Sequence, residues 1–176
     1  MLDTETMGKK ENAAVVSIGA VFFDEHTGQI GETFYRRIHL ATSVAKGFVI
    51  DPGTVLWWLQ QNDEARNSTF LNADHVEVVM EDFYEWVLTK GPKRDDLRVF
   101  GCSPSFDCTK VAYHLEACGL EAPWHYWAER CYRTIRDRNR NVPEDERVGL
   151  HNALDDAIHQ AKHLIKIRHA KKAAPN

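Results

Sequence analysis

Apolar and polar positions run first with the period of a strand and later with that of a helix. Ala13 to Phe23 is rich in Val, Ile and Phe, Glu25-His26-Thr27-Gly28 supplies a turn, and a second extended run ends near Leu40; the pattern predicts a β-hairpin. Met1 to Glu5 predicts a preceding strand with two residues ahead of Asp3, which makes the opening of the chain a three-stranded meander. Asp51-Pro52-Gly53-Thr54 carries helix-start chemistry, and a short helix is expected over Val55 to Gln61. From Asp74 to Leu88 the residues Val76, Val79, Met80, Phe83, Trp86 and Val87 recur at three- and four-residue spacing, the mark of a helix with one buried face, and Gly91-Pro92 ends it. Leu97 to Gly101 predicts a short strand, Ser103-Pro104-Ser105 a loop with capping residues, and Phe106 to Cys118 a helix closed by Gly119. Pro123 to Arg140 mixes strand-forming aromatics with surface arginines and stays open between the two readings. Asn152 to about His169 sets Leu154, Ala157, Ile158, Ala161, Leu164 and Ile165 on one face of a last helix, ahead of a basic tail.

Strands first, then helices alternating with strands, describe an α/β or α+β domain of three layers around a mixed sheet. At 176 residues the expectation is one domain over residues 1–170 and a basic tail over 171–176. A hydrophobic content of 43% against 27% charged residues suits a globular chain with a real core. No apolar run approaches the roughly 18 residues that span a bilayer, and the opening has neither a basic region nor an apolar signal segment, so a cytoplasmic address without membrane contact is expected. Five, nine and twelve residues separate Cys102, Cys108, Cys118 and Cys131, a spacing that fits neither paired zinc ligands nor a disulfide framework; reduced, partly buried thiols are expected.

Three short acidic motifs change the picture. In Asp3-Thr4-Glu5 the carboxylates are two apart, so on a strand they share a face and can chelate a hard cation together. Taken alone, the pattern more often marks a solvated strand. Thr6-Met7-Gly8 follows at once, a turn where backbone can approach a ligand. Phe106-Asp107 opens a helix and places a carboxylate in its first turn, where compensation of the helix dipole is the plainer explanation. His151-Asn152-Ala153-Leu154-Asp155-Asp156-Ala157 sets a histidine just ahead of the last helix and two acids in its first turns, where capping would account for the acids.

Together, in this order and spacing, D-x-E-T-x-G, F-D and H-x-A-x-x-D-A resemble the DEDDh branch of the DnaQ-like 3′-5′ exonuclease superfamily. The resemblance covers essentially the whole chain. Trp57-Trp58-Leu59-Gln60-Gln61 and Cys131-Tyr132-Arg133-Thr134 are also similar to stretches of small stand-alone phage and bacterial exonucleases. It implies a ribonuclease H-like fold, with a mixed five-stranded sheet flanked by helices. It also implies metal-ligand roles for Asp3, Glu5, Asp107 and Asp156 around two Mg²⁺ or Mn²⁺ ions, with His151 as general base. Asp155 stands four residues from His151 and competes with Asp156; the family pattern selects Asp156.

The implied substrate is nucleic acid with a free 3′ end, single-stranded DNA first and RNA as the alternative. Thr6, Met7, Gly8, Phe106 and Arg133 are candidate substrate contacts, and a homodimer is among the expectations because stand-alone members are often dimeric. A formal charge of −4 sits poorly with a polyanionic substrate, yet two divalent cations at four carboxylates bring the total close to zero. Arg130, Arg133, Arg136, Arg138 and Arg140 also supply a local basic surface. His159 and His163, four apart on the last helix, lack further ligands and read as exposed. Two readings from other classes compete: a non-catalytic nucleic-acid-binding domain, and an interaction module whose acids are caps and surface charges.

Overall fold

A computed structural model of the chain describes residues 1–147 and 151–173. The expected meander is formed by β1 (Leu2–Thr6), β2 (Val15–Phe23) and β3 (Ile30–Arg37), antiparallel throughout, with Asp3 opposite Gly19 and Ala20 opposite Phe34. β4 (Val99–Gly101) adds to β1 in parallel and β5 (Glu129–Cys131) adds to β4 in parallel. The result is a mixed five-stranded sheet in the order β3-β2-β1-β4-β5, the α/β architecture implied by the resemblance.

Among the described residues seven helices surround it: α1 (Leu40–Ala45), α2 (Pro52–Leu59), α3 (Asp63–Phe70), α4 (Val76–Lys90), α5 (Asp107–Ala117), α6 (Tyr132–Asp137) and α7 (Ala153–Ala173). α1 and α3 are not announced by hydrophobic periodicity. In α3 only Ala65 and Thr69 are buried, so there is no apolar stripe to read, although the Asn62 side chain caps it by accepting from the Ala65 N–H at 2.8 Å. The open segment 123–140 resolves into both readings at once. A 3₁₀ turn (Tyr126–Ala128) leads into three-residue β5, and α6 starts at the next residue, where the Cys131 sulfur accepts from the Thr134 N–H. α7 continues to Ala173 and so includes Lys171 and Lys172; residues 174–176 of the expected tail lie outside the described residues.

Alternation along β1 assigns the two faces of the sheet. Leu2 joins Ile18, Ala20 and Phe34 under Val79, Met80 and Phe83 of α4 and Val111 and Leu115 of α5, the larger apolar core. On the other face Val21 and Phe100 meet Ala157, Ala161 and Leu164 of α7 and Tyr132 of α6. α7 crosses this face over β1, β2 and β3 at very close range. A Cβ built on Gly19 would lie 2.1 Å from the Ala153 carbonyl carbon and 2.1 Å from the Leu154 nitrogen, so the first turn of α7 rests on bare backbone.

His163 corrects the sequence reading, because it is buried: the Tyr132 hydroxyl donates to its Nδ1 at 2.7 Å, and its Nε2–H donates to the Val142 carbonyl at 2.9 Å. His159 is half-buried, with Nε2 3.1 Å from Glu144 Oε2. These histidines tie segment 138–147 to α7. The four cysteines are free thiols, with Cys108 fully buried. No helix among the described residues is long and apolar enough to cross a membrane.

Candidate active site

Asp3 and Glu5 leave β1 on the α7 face, as their spacing requires. α7 brings Asp156 to them: one carboxylate oxygen from each of Asp3, Glu5 and Asp156 falls within 4.8 Å of the others. Asn152 performs the capping that the acids were weighed for, since its side chain accepts from the N–H groups of Leu154 at 3.0 Å and Asp155 at 3.2 Å. Asp155 is exposed and outside the cluster, so the geometry favours its neighbour.

Asp107 approaches from the opposite layer. It opens α5, which packs on the larger core, and its Oδ1 accepts from the hydroxyl of Thr4, the residue between the two β1 acids that points away from them. Gly101, at the end of β4, makes room: a Cβ there would stand 3.2 Å from Asp107 Oδ2. Asp107 is buried and close enough for its charge to bear on Asp3 and Glu5, but it is not one of the three oxygens gathered within 4.8 Å.

Burial and mutual repulsion outweigh the counter-charges in this set. Burial, then the charges of Asp107, Glu5 and Asp156, push the Asp3 carboxyl well above the usual range, while a hydrogen bond from Gln160 opposes the shift. Glu5 is pushed up to about 8 by burial and then by Asp156 and Asp107. Asp107 rises to about 6 through burial, held back by the Thr4 hydroxyl and the Ser103 N–H. Asp156 is raised by burial, opposed chiefly by the Arg147 guanidinium. Among the described residues, Arg147 is the cation within ion-pair distance of the four, with Nη1 3.4 Å from Asp156 Oδ1. Hard oxygen donors, mutual repulsion and burial together fit divalent cations of the Mg²⁺ or Mn²⁺ type.

His151 stands beside this group in a left-handed conformation, φ +63°, which a side-chain-bearing residue adopts at a cost of order 1 kcal/mol. Its ring meets Trp57 edge to face, centroids 4.8 Å apart, and its carbonyl accepts from the Thr69 hydroxyl. Trp57 is partly exposed, whereas Trp58 is buried and fixes α2 to the strand end by donating Nε1–H to the Thr6 carbonyl at 3.2 Å. Next to the acids opens a cavity of about 560 Å³ bounded by Glu5, Thr6, Gly8, Trp57 and Phe106. Of the candidate substrate contacts, Thr6, Gly8 and Phe106 line it. Met7 does not, being buried with Val16, Phe48 and Trp58, and Arg133 is not among the lining residues but reaches Cys102, just past β4, whose thiol feels the charges of Asp3 and Asp107. Sequence reasoning missed Gln160, Thr4 and Gly19. Thr4 is an ordinary polar residue between two motif acids, Gln160 one beyond the last motif, and Gly19 sits in an apolar strand where nothing but the contact with α7 marks it.

The model of the 3′-5′ exoribonuclease Rv2179c-like domain matches residues 1–168. The chain belongs to this family. It is accordingly a 3′-5′ exonuclease of the DnaQ-like superfamily, and its substrate is nucleic acid. Among solved structures, a full-length 3′-exonuclease superposes with a TM-score of 0.61 at 14% identity, over 97% of this chain and 80% of that one. Cell-death related nuclease 4 (CRN-4) superposes with a TM-score of 0.57 at 16% identity, over 98% of this chain and 63% of its own. At such identities the likeness shows the shared ribonuclease H-like fold. No curated protein matches the family member described here.

Proposed function

We propose that this exonuclease removes mononucleotides from the 3′ end of single-stranded RNA with two divalent cations, Mg²⁺ or Mn²⁺, held by Asp3, Glu5, Asp107 and Asp156. The observation that carries the reading is the convergence of Asp3, Glu5 and Asp156 within 4.8 Å from elements at opposite ends of the chain. Bound there, such cations would neutralise phosphodiester charge and lower the pKa of water, so that it could be deprotonated near neutral pH. The side chains supply the rest. Asp3 and Glu5, fixed on a strand, would hold the cations that a phosphodiester needs beside them; the imidazole of His151 takes the proton from the attacking water; and Trp57 and Phe106 bound the cavity in which the terminal nucleotide sits. RNA is placed ahead of single-stranded DNA, the first choice from sequence, because the family is described by an exoribonuclease.

Matched 3′- and 5′-labelled single strands of RNA and DNA, with Mg²⁺, Mn²⁺ or EDTA, test direction, sugar and metal in one assay. Stepwise loss of the 3′ label from RNA, absent in EDTA, is the expected result, and faster loss from DNA reverses the order of substrates. His151→Ala should lower kcat roughly a hundredfold or more with KM little changed; near-normal turnover removes the imidazole from the mechanism.

A further inference from the structure

We propose that Gln160 is a positioning residue, holding the carboxylate of Asp3 in the orientation that serves the cation site. It lies one helical turn beyond Asp156, so α7 presents the two side chains in a row toward β1. Its Nε2–H donates to Asp3 Oδ1 at 2.7 Å. The residue is buried, and its neighbours on the inward face of the helix are Ala157, Ala161 and Leu164. A glutamine at such a position is costly: the amide loses its hydration, and Oε1 has no partner among the described residues. An apolar side chain would pack against the sheet without that penalty, so packing does not account for the amide. The bond to Asp3 does.

The direction of the amide follows from charge. An ionised Asp3 offers only acceptors, so Nε2 must face it, and the reversed amide would set two acceptors together. With Oδ1 engaged, the rotation of the carboxylate is fixed and Oδ2 is left for a cation. Gly19 contributes by letting α7 sit close enough for a side chain of this length to span the gap. The inference rests on the reading of Asp3 as a cation ligand.

The test compares the wild type with Gln160→Met, which keeps length and helix propensity but has no donor, and with Gln160→Asn, which keeps the donor but is shorter by one methylene. Mn²⁺ affinity is measured by calorimetry on substrate-free protein, the melting temperature in EDTA reports the fold, and kcat and KM are followed against Mn²⁺. The expected result is Mn²⁺ affinity lowered roughly ten- to a hundredfold in Gln160→Met and by less in Gln160→Asn, with the fold retained in EDTA. kcat should recover as Mn²⁺ is raised, and KM for the RNA should stay near wild type. Affinity within twofold of wild type in a folded variant overturns the assignment while leaving the cation site intact. Absence of Mn²⁺ binding by the wild type overturns the site and this role together.

Discussion

The two faces of the sheet are built from the same strands and satisfy opposite demands. Toward α4 and α5, β1 and β2 present Leu2, Ile18 and Ala20 to a continuous apolar core in which Phe83 is packed against Phe34, Trp86 and Trp124. Toward α7, the same strands present Asp3, Glu5, Ser17 and Gly19: two mutually repelling carboxylates, a buried hydroxyl without a close partner among the described residues, and a residue with no side chain. The first face gains from each residue it buries. The second spends part of that gain on holding charge where water would stabilise it better, the expected signature of a site shaped for a ligand. The difference teaches that stability and chemistry are divided across one sheet by the two-residue period of a strand.

The largest expected effect tests that division directly. Phe83→Ala should cost about 3–5 kcal/mol of stability, equally in EDTA and in Mn²⁺. Asp3→Asn should do the reverse in EDTA and raise the melting temperature, because the amide removes one repelling charge while its oxygen still accepts from Gln160. The same variant should forfeit the Mn²⁺-induced stabilisation, about 2.7 kcal/mol for the wild type at free Mn²⁺ a hundred times the Kd. Thermal melts of both variants with and without Mn²⁺ decide the matter. A lower melting temperature for Asp3→Asn in EDTA would show that the carboxylate supports the fold, and the contrast between the faces would collapse.

The same division explains what could be read from the sequence. The apolar face is periodic, so α4, α5 and the meander are legible from spacing, with ends shifted by a few residues because capping and tertiary contacts set the ends. The acids are legible as motifs: Asp3-Thr4-Glu5 shares a strand face, and Asp156 lies a fixed distance beyond His151 along one stretch. What supports them is not legible. Gln160 resembles any polar residue of an amphipathic helix until its bond to Asp3 is seen, and Thr4 reads as a spacer until Asp107 is seen to bond it from the other layer. His163 reads as exposed because its partners, Tyr132 and the Val142 carbonyl, come from a segment without periodicity. Helix α3 carries too few apolar residues to be announced by any period, and α1 is six residues long and buries only Ser43.

Gly19 offers a sharper test of intermediate size, since it belongs to the fold of one face and the chemistry of the same face. A methyl group there meets the backbone of Ala153 and Leu154 rather than a side chain that could turn aside, so the start of α7 must move. Gly19→Ala is expected to cost roughly 1–3 kcal/mol, with a larger proportional loss in Mn²⁺ affinity, because Asp156 and Gln160 ride on the displaced turn. Chemical denaturation and calorimetric Mn²⁺ titration measure the two effects separately. Loss of stability with unchanged Mn²⁺ affinity would show that the carboxylates are not positioned through this contact.

The smallest effect concerns a charge that the apolar side excludes. His114 of α5 is buried and stacked on Phe48, its Nδ1–H donating to the Lys110 carbonyl at 2.8 Å and its Nε2 accepting from the Val15 N–H at 3.2 Å. Burial lowers its pKa from 6.5 to about 4, and protonation of Nε2 would set two donors against each other. Between those values the unfolded chain takes up a proton that the folded chain refuses, so this contribution to stability is present above pH 6.5 and is lost as the pH falls toward 4. The loss approaches 1.4 kcal/mol per pH unit, about 1 kcal/mol on passing from pH 6.5 to 5.5. The raised carboxylates across the sheet carry the opposite sign, so the informative quantity is the stability of the wild type minus that of His114→Asn, measured in EDTA at several pH values. That difference should shrink steadily below pH 6.5; if it is independent of pH, the proton excluded by this core is not the one on His114.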